Sequence, residues 1–365
     1  MNKITYIFSG GRINKANSNS YAEEFFYGYK YLKDKHHNNI SIIEFNNISG
    51  FLNKIEHKLS KAFSLPLYIF STINKKNLKS IKETDNLILI SESAGFASLL
   101  PLIFFKKKYN IKTYMFVMGL YSKKINYKIL KIFHNALISL LVSHLDKLYF
   151  LGIEEYNIAK NRIKKHEKLV FKPFHIDCEF WNSKDLLNSD KNQILFIGND
   201  GNRDFNLLIN IAKLMPDKKF IFVSSNDKLL NLELPNVTVL RGSWKDGLMS
   251  DLDLKKIYHD SKLVILPLKK STQPSGQSVA LQSMSMGIPV LITKTNGFWD
   301  KVKFIDNENI LFESSSNPDS WVNKINYLFK NTELLNKISE NSSNLVKENY
   351  NMKEFNKYLE KELGL

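Results

Sequence analysis

Residues 263–299 contain the pattern that most constrains the fold: a strand, a polar loop, a helix and a second strand in direct succession. The apolar run Leu263–Leu266 and the β-branched run Val290–Thr293 read as strands. We predict a helix between them from about Gly276 to Met286, with Ser275 as its N-cap. Strands joined through a helix belong to α/β sheets, and a loop at a helix N-terminus offers free N–H groups to a phosphate.

The same alternation of strand-like and helix-like runs fills both halves of the chain. The predicted strands of the first half are Ile4–Phe8, Ile40–Phe45, Leu87–Ile90, Thr113–Val117 and Leu148–Phe150. Those of the second half, before residue 263, are Gln193–Gly198, Phe220–Ser224 and Val237–Leu240. The predicted helices include Ser20–Leu32, Leu52–Phe63, Lys123–Lys147, Leu207–Leu214 and Leu254–Asp260. Such alternation predicts parallel sheets.

Two domains are expected in a chain of 365 residues. The polar stretch Asn182–Asn192 is the best boundary between them. We therefore predict a first domain at 1–181, a second at 182–349 and a final helix at 350–365.

The run LQSMSMGIPV, residues 281–290, resembles the donor-site signature of group 1 (family 4) retaining glycosyltransferases of the GT-B fold. That resemblance implies an α/β protein with two Rossmann-like domains, whose parallel sheets face a central cleft, and a C-terminal helix that crosses back to the first domain. The sequence departs from the family at three positions. Pro274 and Gln282 replace two glutamates, and Met118 replaces a histidine near the reacting sugar.

The resemblance also implies the donor-binding residues. The family has a basic pair that neutralises the donor diphosphate; here Asn199 occupies the arginine position and Arg203 lies within one residue of the lysine position. A guanidinium fits phosphate bidentately, so we predict that Arg203 is catalytic. The remaining predicted donor contacts are Gln282, which would accept from the ribose, with Gln273, Ser275, Gly276, Gln277 and Ser278. This architecture needs no metal or cofactor, since the nucleotide sugar is a substrate.

Two places in the first half are further candidates. Gly10 and Gly11 follow the opening strand, where they form either a donor-facing loop or a tight turn. Glu92 stands where a strand ends and a helix begins. It is either a ligand-facing catalytic residue or an acid placed at the positive end of a helix dipole.

The net charge of +16 is concentrated in residues 1–178, which hold 28 Lys and Arg against 13 Asp and Glu. This excess has two interpretations. The lysines are ordinary solvated surface residues, or they attract an anionic surface or acceptor. The region Lys123–Lys147 has the same two interpretations, a core helix with a basic edge or an interfacial helix on an anionic membrane. The basic residues match no nucleic-acid motif, so no nucleic-acid partner is expected. The single cysteine, Cys178, fits a reducing compartment.

These observations predict a cytoplasmic enzyme, peripheral on the inner face of the membrane, that transfers sugar with retention from a nucleotide-sugar donor. The predicted acceptor is a glycan or a lipid-linked sugar, in the synthesis of cell-surface polysaccharide. A nucleotide-sugar epimerase is an alternative. A catalytically silent GT-B-like protein that binds glycan or a partner is another, because both family glutamates are missing.

Overall fold

The computed structural model describes residues 2–123, 125, 127–184, 186–187 and 191–365. The chain divides into two compact units. The first contains the chain up to Ser18, then Phe25–Pro173 and Asn356–Leu365. The second contains Asn19–Glu24 and Phe174–Phe355. Each unit is therefore made of segments that are distant in sequence.

The first unit is built on a parallel sheet of six strands in the order β2-β1-β3-β4-β5-β6. The strands are β1 (Ile4–Ser9), β2 (Ile40–Phe45), β3 (Asn86–Ile90), β4 (Lys112–Val117), β5 (Lys147–Phe150) and β6 (Leu169–Phe171). All five residues of β3 are buried, as expected for a strand covered on both faces. The five strands predicted in this half are confirmed, and β6 is a short edge strand that the sequence analysis did not identify.

Among the described residues up to Pro173, eight helices accompany this sheet. They are α1 (Arg12–Ala16), α2 (Tyr29–Lys35), α3 (Phe51–Phe63), α4 (Lys75–Lys82), α5 (Glu92–Ala97), α6 (Leu99–Phe105), α7 (Lys128–Ser143) and α8 (Ile153–Lys160). Short 3₁₀ turns occur at Glu24–Phe26, His37–Asn39 and His166–Lys168. Helix α7 is shorter than the predicted region Lys123–Lys147, two residues of which, Lys124 and Asn126, lie outside the described residues.

The predicted helix Ser20–Leu32 is wrong. Tyr27 and Gly28 both have positive φ, 51° and 79°, and this left-handed backbone cannot continue a right-handed helix. The 3₁₀ turn Glu24–Phe26 comes before these two residues, and α2 begins after them at Tyr29. The apolar residues of this stretch do not share one helix face, because those up to Glu24 belong to the second unit and those from Phe25 onward belong to the first.

The second unit is a second parallel sheet in the order β12-β11-β10-β7-β8-β9. The strands are β7 (Gln193–Ile197), β8 (Lys219–Ser224), β9 (Val237–Arg241), β10 (Ser261–Leu266), β11 (Val290–Ile292) and β12 (Leu311–Phe312). The helices of this half are α9 (Phe205–Lys213), α10 (Asp227–Leu230), α11 (Asp251–His259), α12 (Gln277–Ser285), α13 (Pro318–Lys330), α14 (Thr332–Asn349) and α15 (Met352–Leu363). The strand order reverses between β7 and β10, where ligands of open α/β sheets bind.

The observed division of the chain differs from the predicted boundaries at 181/182 and 349/350. It falls after Pro173 and after Phe355, because the segment from Phe174 onward already belongs to the second unit. The Ile176 N–H donates to the Tyr350 carbonyl at 2.8 Å, and the Met352 N–H donates to the Ile176 carbonyl at 2.8 Å. Of the predicted boundary at 182–192, residues 185 and 188–190 lie outside the described residues, and the division falls before this stretch.

The final helix, α15, leaves the second unit and ends in the first, as predicted. Within the first unit, the Tyr31 hydroxyl donates to Glu360 at 2.9 Å, and Lys147 forms an ion pair with Glu362 at 3.1 Å. The C-terminus is therefore held against α2 and β5.

Candidate functional site

Two loops of the second unit meet at the carboxyl ends of the neighbouring strands β7 and β10. The first is residues 198–204 and the second is residues 267–276. The Lys269 N–H donates to the Asn202 carbonyl at 2.8 Å, and the Asp204 N–H donates to the Pro267 carbonyl at 2.9 Å. These backbone bonds fix the two loops against each other at the point where the strand order reverses.

The Arg203 side chain is the central feature of this site. It is 4% exposed, and its Nη2 atom lies 3.5 Å from an oxygen of Asp200. Its Nε and Nη1 atoms have no hydrogen-bond partner among the described residues. Burial lowers the pKa of the Arg203 guanidinium. A buried guanidinium with two donors unpaired among the described residues has room for a further acceptor, and its charge favours an anionic one.

Two glycines leave the space that the guanidinium occupies. A Cβ atom at Gly198 would lie 2.2 Å from Arg203 Nε, and one at Gly276 would lie 3.3 Å from Arg203 Nη1. Gly276 is also the N-cap of α12, with φ of 78°, so the guanidinium lies beside the start of that helix. The cation and the first-turn N–H groups of α12 are thus placed where both could face one anion.

The helix start differs from the prediction by one residue. We predicted Ser275 as N-cap, but Gly276 takes that position in a left-handed conformation and no side chain caps the helix. Ser275 instead accepts a hydrogen bond from Asn202 Nδ2 at 2.8 Å. Ser278 is half-buried on the first turn, and Gln277 is buried beside it. Gly276 is thus brought next to Arg203, and the predicted residues Gln277 and Ser278 follow it in the first turn of α12.

Asn199 and Asn202 hold the loops. Asn199 Nδ2 donates to the Gly242 carbonyl at 2.9 Å, while its Oδ1 accepts from the Ser224 hydroxyl at 2.9 Å. The Asn199 amide therefore joins the ends of β7, β8 and β9, and its role as a donor contact stays a prediction. Asn202, which the sequence analysis did not single out, also donates to Gln273 Oε1 at 3.3 Å.

Gln282 lies in a buried polar network. Its Nε2 donates to Glu24 Oε1 at 2.8 Å, and its Oε1 accepts from the Tyr258 hydroxyl at 3.1 Å. The same Glu24 oxygen accepts from Trp181 Nε1 at 2.7 Å. Burial, reinforced by the charge of Asp251, raises the pKa of Glu24 to about 8. Both ends of the Gln282 amide are occupied within the protein, so its predicted bond to a ribose would compete with these contacts.

In the first unit, the glycines after β1 make a tight turn. The Gly10 N–H donates to the Phe45 carbonyl at 2.9 Å, and a Cβ at this position would lie 1.8 Å from Asn46 Oδ1. Gly11 has φ of 86° and caps α1. The tight-turn interpretation therefore accounts for both glycines, and their contact with a donor stays a prediction.

Glu92 is buried at the start of α5 and faces the loop after β4. One of its oxygens accepts from the Met118 N–H, and Glu155 accepts from the Tyr121 N–H at 2.8 Å. Burial raises the pKa of Glu92, and burial together with the charge of Glu92 raises that of Glu155 to about 8. This pair holds residues 118–121, where the family has its histidine. The geometry gives Glu92 a positioning role, and its catalytic role stays a prediction.

Metal-ligand clusters and membrane-spanning helices are both absent from the described residues. No three His, Cys, Asp or Glu side chains there come together as metal ligands. None of the helices found there combines the length and the apolar character that crossing a bilayer requires. Asp251 and Asp253 lie in the first turn of α11, after its N-cap Ser250.

Comparisons with known proteins agree with this architecture. Residues 177–345 match the family described as "Glycosyl transferases group 1". A search of curated protein sequences finds no match. Among solved structures, HepE from Anabaena, crystallised with UDP and glucose, has a TM-score of 0.68 at 14% identity, covering 100% of both chains.

Two further structures share the fold along nearly the whole chain. Sucrose-phosphate synthase from Thermosynechococcus elongatus has a TM-score of 0.69 at 12% identity, covering 99% of this chain and 98% of its own. A glycosyltransferase from Rickettsia africae has a TM-score of 0.64 at 15% identity, covering 99% and 97%. The resemblance seen in the sequence is therefore confirmed: the chain has the GT-B fold, and its residues 177–345 match the group 1 glycosyltransferase family.

Proposed function

We propose that the protein is a retaining, metal-independent glycosyltransferase that moves a sugar from a nucleotide-sugar donor to a glycan or lipid-linked acceptor. The observation that carries this proposal is the buried Arg203 guanidinium, whose Nε and Nη1 have no partner among the described residues. Retention and independence from metal are carried over from the family resemblance. HepE, which shares the fold, binds UDP and glucose.

Departure of the donor phosphate is the step that this site would assist. Negative charge develops on the phosphate as the bond to the sugar breaks, and preorganised donors stabilise that charge. Arg203 and the N-terminus of α12 supply a cation and N–H groups from one side of the loop pair. Gly198 lets the guanidinium remain buried, which strengthens its interaction with an anion.

Binding of UDP-, GDP-, ADP- and CMP-sugars, measured by calorimetry, tests the donor site. One of them should bind, and Arg203→Ala should weaken that binding by about tenfold or more, since a charge-assisted contact is lost. Lys219→Ala, at an exposed cation where β8 begins, is the control and should bind as the parent does. Equal donor affinity in the Arg203→Ala protein would place the donor site elsewhere.

A catalytically silent donor- or glycan-binding protein is the second candidate. The occupied Gln282 amide favours it, because the position where the family has a ribose-binding glutamate is bonded to Glu24 and Tyr258. Release of free nucleotide from a bound nucleotide sugar separates the two candidates. Turnover supports the transferase, whereas saturable binding without nucleotide release, with and without added acceptors, supports the silent protein.

The proposed location is the cytoplasmic face of a membrane, with helices α3 and α7 of the first unit as the contact. Phe51 on α3 is 76% exposed, and Ile129 and Ile132 on α7 are 69% and 61% exposed. The two helices are adjacent, since the rings of Phe63 and Phe133 are 5.8 Å apart. Their exposed cations are Lys54, Lys58, Lys61, Lys128 and Lys131. The one acid in these two helices, Glu56, is buried.

Exposed apolar side chains beside lysines suit the boundary between headgroups and acyl chains. Flotation with anionic vesicles tests this contact. The protein should float, less so at high salt, and Ile129→Ser/Ile132→Ser should stay in the pellet fraction. Val302→Ser, a change at an 85% exposed apolar residue of the second unit, is the control. Flotation of the double variant at the parental level would contradict the proposal.

A further inference from the structure

A cavity of about 690 Å³ lies in the first unit between α7 and residues 162–168, the segment that follows α8. One part of its wall is apolar, formed by Tyr121, Ile138, Val142 and Ile163. This cavity is separate from the Arg203 site, which belongs to the second unit. We call it the α7 groove. Its apolar wall suits a hydrocarbon chain.

The rest of the groove is strongly basic. Four cations line it: Arg162, Lys164, Lys165 and Lys168. The Arg162 guanidinium carbon lies 5.2 Å from the centre of the Tyr121 ring, and Lys168 Nζ donates to the Leu145 carbonyl at 2.5 Å. None of the described residues that line the groove is acidic. Four positive charges without a lining carboxylate favour an anionic ligand.

The groove adjoins the exposed apolar face of α7. Ile129, Ile132, Phe133 and Leu140 are exposed and share one face of the helix by their spacing. The groove is lined from the next face around the same helix, by Asn135, Ile138, Ser139, Val142 and Ser143. An amphiphile whose chain leaves the bilayer along α7 would therefore reach the cations of the groove.

We propose that the α7 groove binds a lipid phosphate, with the phosphate head at Arg162, Lys165 and Lys168 and the chain against the apolar wall. This inference rests on the proposed membrane-side transferase and deepens it, because it assigns the lipid-bearing partner a defined chemistry and a defined place. The apolar wall distinguishes this ligand from free phosphate, and the cations distinguish it from a neutral lipid.

Calorimetry with monomeric short-chain lipids tests the proposal without a membrane. Dihexanoyl phosphatidic acid should bind, whereas the affinities of inorganic phosphate and dihexanoyl phosphatidylcholine should be lower by about tenfold or more. Arg162→Ala/Lys165→Ala should weaken phosphatidic acid binding by about tenfold or more. Lys75→Ala/Lys76→Ala, which removes the same charge from exposed positions of α4, should bind like the parent.

A second variant tests the cavity itself. Ser139→Trp adds an indole at an exposed groove position of α7 and changes no charge, so it should block the lipid while thermal melting shows an intact fold. Unchanged lipid affinity in both groove variants would overturn the proposal, and so would equal affinity for phosphate and phosphatidic acid. Nucleotide-sugar binding measured in the same proteins keeps the two proposals apart. A groove variant that loses lipid binding but keeps donor binding shows an effect on the groove alone. A protein that binds lipid but no nucleotide sugar contradicts the proposed transferase and leaves the groove proposal standing.

Discussion

Glu24 and Gln282 are joined by a hydrogen bond of 2.8 Å between Oε1 and Nε2, although 258 positions separate them in sequence. Glu24 is held from three sides, by Gln282, by the Trp181 indole at 2.7 Å and by the Asp177 N–H at 3.3 Å. A carboxyl group thus stands beside the position where the family has a glutamate, but it comes from the N-terminal part of the chain.

Glu24 should make the stability of the protein depend on pH. Burial raises its folded-state pKa from 4.5 to about 8, so the folded protein holds the proton more tightly than the unfolded chain. The resulting stability is complete below pH 4.5 and is lost as the pH rises through about 8. In the Glu24→Gln protein the free energy of unfolding should fall less steeply with pH, by up to about 1.4 kcal/mol per pH unit.

Urea unfolding between pH 5 and pH 9 measures the slope of the free energy of unfolding against pH. Glu155, whose pKa burial also raises to about 8, keeps its own contribution in the variant. Glu348→Gln, at an exposed position of α14, should leave the slope unchanged. A parental slope in Glu24→Gln would mean that Glu24 is ionised in the folded protein throughout this range.

Exchanging the acid and the amide should be tolerated better than the single change Gln282→Glu. Gln282→Glu alone places two carboxyl groups in hydrogen-bond contact within a buried site, which should cost about 2 kcal/mol or more at pH 8. Glu24→Gln/Gln282→Glu restores one acid and one amide and should recover most of that loss. A double-mutant cycle from chemical denaturation measures the coupling, and purely additive effects would contradict a direct interaction.

Gly198→Ala should impair donor binding through Arg203. The new Cβ would lie 2.2 Å from Arg203 Nε, so the guanidinium must move away from its position beside Gly276. We expect donor affinity to fall by about tenfold. Gly201→Ala in the same loop is a matched control, because no atom lies within 4 Å of a Cβ there. Calorimetry that finds the two variants alike would exclude this role for the Arg203 position.

Glu92 variants should separate its two roles. Glu92→Leu leaves the partly buried Met118 N–H without this acceptor and should cost about 1–3 kcal/mol of stability. Glu92→Gln keeps an oxygen acceptor, so a positioning residue predicts transfer within a few-fold of the parent. A general acid or base would instead lose about a hundredfold or more. Sugar transfer and urea unfolding, measured on both variants, decide between them.

The sheets could be predicted because their signals are local. Apolar runs such as Leu263–Leu266 end at a proline or a polar loop, and their period identifies the strands without any distant residue. Arg203 was also found locally, because it follows a strand in a family-like position. The loop contacts of Asn199 and Asn202 could not be predicted, since the sequence around a loop asparagine does not indicate which residue it bonds.

The Glu24 network shows why the remainder could not be predicted. Nothing around Glu24 in sequence distinguishes it from a helix residue, and the hydrophobic spacing from Ser20 to Leu32 favoured that wrong assignment. Its partners Trp181 and Gln282 lie more than 150 positions away. Only the positive φ required at Gly28 hinted at a break, and glycine alone is weak evidence.

The six residues Asn19–Glu24 give the second unit a discontinuous sequence. A fragment cut as 174–355 would lack Glu24, the acceptor of both the Trp181 indole and the Gln282 amide, and the Ala22 N–H that donates to Asp251 at 3.0 Å. The second unit of this protein is thus not a portable module. A chimera that exchanges it with the matching unit of another protein of this fold inherits an incomplete core unless this short segment is transferred with it.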